Sequence, residues 1–538
     1  MRLKITKLSI EWRYVWLLAV VTALLTGIPY VLGVFVAPGH YTGSSYTNFG
    51  DTAQYYSYLN QVIDGRVVID NVYTTEAPRT LLFRPLFLVL GTLARLLDLS
   101  AAAIFQVSRM VFGALLIAAT YRLLTVLAVE KTIRLVAVTV LALGAGFGGL
   151  LHPFFFREAQ IVGHLELFTQ FPSDLYLSES SFFLTILHSP LLPFALLVDV
   201  LVLTWFFKPG VIFWQLPAVV ALVFLFGFDH PFDLLALLII TAGTIGALYA
   251  RCVVTQKPEQ FLLAYVKKFA AVCVAVSCSA GYYWWLVGHS PAFAVLSTQN
   301  VTESPALVNL LLGYGLLIPL AAIGFVVARR QSNTVVFVFW TLSLLVVAYT
   351  PFQYQRRVLP LVLIPLAVLA GTGLVCGFRW LKKYSRRGAI MVAVTAAALL
   401  ISTNVVVVAT HYPLFHLGYY SITLEQQQAM EWLSRQPQAT ILASPYISNL
   451  ITGESLHRVY VGHVIQTAYS ADKVTEVAEW FYKTNDDDIQ KYAWLQQRHI
   501  EYVWVGPDER ALGGYQAATK DYLVPVYHSD EVTIYQPL

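Results

Sequence analysis

The sequence predicts a polytopic α-helical membrane protein with a small α/β domain at its C-terminal end. Three observations carry that reading. Of its 538 residues, 57% are hydrophobic and 12% charged, about half the charged fraction of an ordinary soluble domain, and the mean hydropathy is +0.63. Apolar runs long enough to cross roughly 30 Å of hydrocarbon recur between residues 14 and 409. Lys and Arg gather at alternate ends of those runs, the charge bias of cytoplasmic loops.

The first run, 14–36, follows Arg2, Lys4, Lys7 and Arg13, which places the N-terminus in the cytoplasm. It is too long for a signal-peptide core and lacks a small-residue cleavage site, so it is expected to remain as a span. The segment 81–97 is also apolar but contains Arg84, Pro85 and Arg95. Counting it as a span would move Lys131, Arg134, Lys208, Arg329, Arg330 and the cluster Arg379, Lys382, Lys383, Arg386 and Arg387 outside, so it is assigned to the external surface as an interfacial helix. The other spans are expected at 101–128, 135–151, 183–206, 211–228, 232–250, 268–287, 306–328, 334–350, 358–378 and 389–409, about eleven in all. This makes 1–410 a membrane module and leaves 411–538 outside.

Between the first span and the interfacial segment lies NFGDTAQYYSYLNQ, residues 48–61. Asp51 is the first carboxylate outside the membrane. Asp51, Tyr55, Tyr58 and Leu59 recur at helical spacing, which predicts a short amphipathic helix along the bilayer surface. Asp51 also reads as the cap of that helix.

From His411 onward hydropathy falls. Residues 424–435 and 473–483 read as amphipathic helices, and 439–443, 458–463 and 502–506 as strands. Trp432, Trp480, Trp494 and Trp504 read as core rather than as sugar-stacking residues. The four cysteines, Cys252, Cys273, Cys278 and Cys376, lie in or beside apolar runs, so no external disulfide framework is expected. A net charge of +4 without a basic tract gives no reason to expect a nucleic-acid partner. HExxH, CxxC, EF-hand and P-loop motifs are absent.

Sorted by side, the ionisable groups collect outside. His152, Arg157, Glu158, His164, Glu166, Asp174, Glu179 and His188 lie in or beside a second external loop, 152–187, the first being 38–100. Asp229 and His230, in FGFDHPF, stand at an external span end. Arg356 and Arg357, in PFQYQRRVLP, break the charge bias at another and suit a phosphate ester. An external enzyme with no nucleotide site needs a substrate already activated and delivered by lipid.

This arrangement resembles the GT-C superfamily of integral-membrane glycosyltransferases. The matching features are an N-in first span, Asp51 at the start of the first external loop, interfacial helices, and further acids in the second loop. The segment RPLFLVLGTLARLLDLSAAAIFQVSRMVFGALLIAATYRL is similar to the stretch that follows that acid in bacterial members. The resemblance implies hexosyl or pentosyl transfer, with inversion, from a polyprenyl-phosphate donor to a hydroxyl of an extracytoplasmic glycan, lipid or protein at the cell membrane. It implies Asp51 as base and Arg356, Arg357 and Arg84 as partners of the phosphate, with Glu158, Glu179, Asp229, His230 and His188 as further candidates. No cofactor is implied, though a divalent metal stays open.

Many relatives pair Asp with Glu where this chain has Asp51 and Thr52, and the WWD-type signature of oligosaccharyltransferases is absent. Two other readings remain. A transporter predicts mid-membrane polar residues and broken helices in matching halves; Asp199 and Asn309 lie in or near spans without such symmetry. A ligase or polymerase of lipid-diphosphate-linked oligosaccharides shares the external site.

Overall fold

A computed structural model describes residues 9–45, 49–76, 81–154, 171–256, 262–329, 332–415 and 420–538. Seven of its helices are long and apolar enough to cross a membrane: Ile10–Val36, Ala101–Val126, Lys131–Phe154, Asp233–Thr255, Leu262–His289, Gln355–Lys382 and Arg386–Leu414. An eighth run is the pair Leu307–Tyr314 and Leu317–Ala328, bent by 74° at Gly315, whose φ of +47° suits glycine. Leu191–Phe207, Gln215–Asp229 and Thr334–Ala348 are shorter apolar helices.

The expectation of eleven treated each apolar run as one full span, and the breaks show where that differs. Run 183–206 is divided at Ser189 and Pro190 into Phe182–His188 and Leu191–Phe207, and run 306–328 is divided at Gly315. The segment 81–97 yields only the 12-residue helix Pro85–Leu96, too short to span.

By contact the chain divides into two compact units. The first comprises Met1–Ile28, Gln106–Ala280 and Thr302–Thr410. Leu359–Lys382 is its most deeply buried long helix. Leu317–Ala328 meets it backbone to backbone: a Cβ on Gly324 would stand 1.9 Å from the Leu369 carbonyl oxygen, and one on Gly373 2.2 Å from that of Leu320. Small residues permit this approach, which membrane helices use in place of hydrophobic drive.

The second unit comprises Pro29–Phe105, Gly281–Val301 and His411–Leu538. It takes in more than the 411–538 domain that hydropathy marks off. Its sheet contains β1 (Thr440–Leu442), β2 (Arg458–Val459), β3 (Tyr502–Val505), β4 (Leu523–His528) and β5 (Thr533–Pro537), in the order β2-β1-β3-β5-β4. The first three are parallel, and β5 pairs antiparallel with β3 and β4. Alternate residues build two cores, Ile441, Val459, Trp504 and Ile534 on one face and Leu442, Val503 and Tyr535 on the other. Trp494 and Trp504 are buried core residues.

The sequence reading did not anticipate β4, β5 or the helix Pro445–Glu454. Strand β4 is largely exposed at the sheet edge and carries Pro525, which mutes its pattern. The helix expected over 473–483 is an α-helical turn, Ser470–Thr475, running into a π-turn, Glu476–Phe481.

Candidate active site

In the second unit Asp51 occupies the first turn of the helix Phe49–Ile63, where free N–H groups and the helix dipole favour an acid. The helix does not expose one face as the Asp51, Tyr55, Tyr58, Leu59 spacing predicts, because Tyr55, Tyr56, Tyr58 and Leu59 are all buried. On one side Phe87 of Pro85–Leu96 stacks on Tyr55, ring centroids 5.4 Å apart. On another, Pro445–Glu454 packs close: the Asn60 amide donates to the Gly453 carbonyl at 2.7 Å and the Asn449 amide to the Gly50 carbonyl at 3.1 Å. Asp51 itself keeps 35% of its side chain exposed.

One Asp51 oxygen lies 3.0 Å from Nε2 of His463. The Ile465 N–H donates to Nδ1 of the same ring at 3.2 Å. Nδ1 is therefore an acceptor, the imidazole is the neutral Nε2–H tautomer, and Nε2 donates to the carboxylate. His463 is nearly buried, and its loop is fixed from several sides. The Gln299 amide donates to the Thr467 carbonyl and accepts from the Tyr469 N–H, each at 2.9 Å. Asn71 donates to the Gln466 carbonyl at 2.9 Å, and Thr467 Oγ1 accepts from the Gly462 N–H at 3.1 Å. Arg84, which precedes Pro85–Leu96, acts on Tyr58: burial pushes the phenol up, and the guanidinium draws it back.

His463 was not among the expected site residues. Its only sequence signal is its place as the last residue of the β-rich run 458–463, of which the structure keeps Arg458–Val459 as strand, since the carboxyl ends of parallel strands are where α/β sheets present functional groups.

In the first unit Ser178–Ser180 forms one buried 3-10 turn. Glu179, 2% exposed, accepts from Arg357 Nη1 and from Ser178 Oγ, both at 2.9 Å, and Arg356 stands 3.4 Å away. The two arginines belong to the turn Gln355–Val358. Burial alone would raise the Glu179 carboxyl, but the charges of Arg356 and Arg357 outweigh it and hold it at about 2. His188 adds to that field. Two cations against one anion leave a positive excess on side chains that are 33% and 18% exposed.

Beside this cluster the Phe232 ring lies 5.6 Å below the Arg357 guanidinium, and His230 Nδ1 pairs with Asp233 at 2.8 Å. A cavity of about 10 Å³, room for one water, is lined in part by Glu179, Asp199, His230, Asp233 and Arg357. Asp199 is fully buried, and neither of its carboxyl oxygens has a hydrogen-bond partner among the described residues. Asp229 is buried at the end of Gln215–Asp229. Asp174 is a clamp, accepting from the Gly146 and Gly148 N–H groups at 2.8 and 3.2 Å. Glu158, with Arg157, His164 and Glu166, lies outside the described residues. Among the described residues no three His, Cys, Asp or Glu side chains form a set able to hold a metal ion.

No family model matches the sequence, and no curated protein sequence matches it. Solved structures do match. The apo oligosaccharyltransferase of Archaeoglobus fulgidus aligns at TM-score 0.55 and 12% identity, over 97% of this chain and 74% of that one. AglB of the same organism, in complex with an inhibitory peptide and a dolichol-phosphate, aligns at 0.50 and 13%, over 93% and 70%. The arabinofuranosyltransferase AftD from Mycobacteria aligns at 0.50 and 15%, over 100% of this chain and 40% of that one. The chain shares the fold of these solved structures. On that fold Asp51 stands in the helix that follows the first long helix, and the Arg356, Arg357, Glu179 cluster stands at the start of the buried helix Leu359–Lys382.

Proposed function

We propose that the chain is a membrane glycosyltransferase that transfers a hexose or pentose from a polyprenyl-phosphate donor to an acceptor hydroxyl on the external side of the cell membrane. The observation that carries this reading is the Asp51–His463 hydrogen bond. A partly exposed carboxylate, oriented by a neutral imidazole at a helix start, is equipped to take a proton from an alcohol. The acceptor oxygen attacks the anomeric carbon, the bond to the phosphate oxygen breaks with its electron pair, and the acceptor proton passes to Asp51. Direct displacement inverts the anomeric centre.

The phosphate leaves as an anion, so the departing group needs cations rather than a strong acid. In this reading Arg84, Arg356 and Arg357 are the cations assigned that work. Glu179, held at about 2 by its arginines, is their counter-ion and has no base strength at neutral pH. Support comes from the fold, which is shared with AglB in complex with a dolichol-phosphate and with an arabinofuranosyltransferase.

The test is lipid analysis of cells from which the gene has been deleted. Accumulation of a polyprenyl-monophosphate sugar is expected. Accumulation of a diphosphate-linked oligosaccharide instead would favour the ligase or polymerase reading, and an unchanged lipid profile would remove the transferase reading.

A further inference from the structure

A groove of about 1160 Å³ opens on the first unit between Lys131–Leu143, Leu317–Ala328, Leu359–Lys382 and Arg386–Leu414. Its walls are aliphatic along most of their length, with Val136, Val140, Ile323 and Leu374 among the lining residues. Ala389, Ala393, Ala396 and Ala397 repeat at helical spacing on one wall, and their small side chains leave the channel open. The groove follows the 13-residue helix Lys131–Leu143 from Thr132 to Gly144, about 20 Å at 1.5 Å per residue. That exceeds the roughly 15 Å of hydrocarbon in one leaflet.

One end is polar and basic, lined by Arg379, Trp380 and Lys382. The carboxylates of that end are already paired: Glu130 with Arg379, and Glu11 with Lys131 at 2.6 Å and Arg134 at 3.6 Å. Lys382, Lys383, Arg386 and Arg387 are exposed and pair with no carboxylate among the described residues. Exposed Trp380 is a side chain of the membrane–water boundary. An apolar trough one leaflet deep, ending in uncompensated cations, matches a lipid whose headgroup is negative.

This basic end is not the Arg356, Arg357 cluster. Those residues precede Leu359, whereas Arg379 and Lys382 close the same 24-residue helix, roughly 30 Å away along its axis.

We infer that the groove is a binding site for one anionic phospholipid of the bilayer, with a chain along the alanine wall and its phosphate at the Arg379–Lys382 end. The occupant is a bilayer phospholipid, and the site is independent of the transfer reaction.

The full chain is reconstituted in nanodiscs containing equal amounts of phosphatidylglycerol and phosphatidylcholine, and retained lipid is counted by native mass spectrometry during delipidation. The parent is expected to hold one phosphatidylglycerol with at least tenfold preference. Lys382→Gln with Lys383→Gln and Arg386→Gln removes exposed cations, each of which favours anionic lipid several-fold, and should lower that preference roughly tenfold or more. Ala393→Phe with Ala397→Phe plugs the trough and should abolish retention of either lipid. If the plugged variant folds poorly, the charge variant, altered only at exposed side chains, decides alone. Equal retention of the two lipids by the parent overturns the site, leaving annular lipid only. So does a preference unchanged by the charge variant, retention unchanged in a folded plugged variant, or displacement of phosphatidylglycerol by undecaprenyl phosphate at equal concentration.

Discussion

The Arg357 guanidinium donates to the Glu179 carboxylate at 2.9 Å across 178 residues of sequence, and Arg356 stands 3.4 Å from the same oxygen. The folded carboxyl, at about 2, is depressed from an ordinary value of 4.5. Its contribution to stability is therefore full above about pH 4.5 and lost as pH falls through about 2. Glu179→Gln keeps the shape but leaves two guanidiniums uncompensated. A loss of about 3 kcal/mol at neutral pH is expected, the low end for breaking a buried pair because both arginines are partly exposed. Thermal unfolding in detergent checks it, and the gap between parent and variant should narrow between pH 4 and pH 2. Equal melting temperatures at neutral pH would reduce the cluster to an ordinary surface pair.

The positive excess at that cluster predicts anion binding. Arg356→Gln and Arg357→Gln should each weaken binding of undecaprenyl phosphate by about 1.5 to 3 kcal/mol, the range for a hydrogen bond to a charged group. Added salt should weaken the parent more than the double variant. If affinity is unchanged in the double variant, the arginines serve Glu179 alone.

Orientation can be tested on exposed serines at helix ends. Ser434 ends a helix of the second unit and Ser385 precedes Arg386–Leu414, and both are exposed. In a background without the four native cysteines, an impermeant maleimide should label Ser434→Cys in intact cells. Ser385→Cys should react only after permeabilisation. The opposite pattern would invert the topology.

What the sequence made legible was local. Hydropathy located each long apolar helix, because burial in lipid demands a continuous apolar run. It did not show that runs 183–206 and 306–328 are broken at Pro190 and Gly315, since apolar composition persists through a bend. Arg356 and Arg357 stood out because they violate a charge rule, yet nothing in the sequence tied them to Glu179, 178 residues away. Asp51 was legible by its place after the first span. His463, 412 residues further on, was not, because its contact depends on how Pro445–Glu454 and the 463–469 loop pack within the second unit.

That contact makes His463 a positioning residue for Asp51. His463→Phe keeps a ring but removes the donor, and a fall in kcat of roughly tenfold or more is expected, the scale of one lost charge-assisted hydrogen bond, with donor KM little changed. His463→Gln, which restores a donor, should recover part of the loss. In an Asp51→Asn background His463→Phe should cost little more, because residues acting as a unit are not additive. An additive loss in the double variant would show that His463 acts elsewhere.

Asp51→Asn tests the base itself. At the third helical position Asn forgoes an acid's attraction to the helix start, about 0.3 to 1 kcal/mol, and its side-chain oxygen still accepts from His463 Nε2. The substitution therefore keeps the contact seen at 3.0 Å at a small cost to the helix start, and removes the capacity to take a proton at neutral pH. Asp51 lies inside the helix rather than at its cap; if it merely favours the first turn of Phe49–Ile63, the folded variant transfers sugar at the parent rate. If it is the base, kcat falls by roughly two to four orders of magnitude while undecaprenyl phosphate still binds. Parent-like transfer by a folded variant would remove Asp51 from the mechanism. Among the buried acids described, Glu179 is tied to its arginines, so Asp229 and Glu158 would become the next candidates to test.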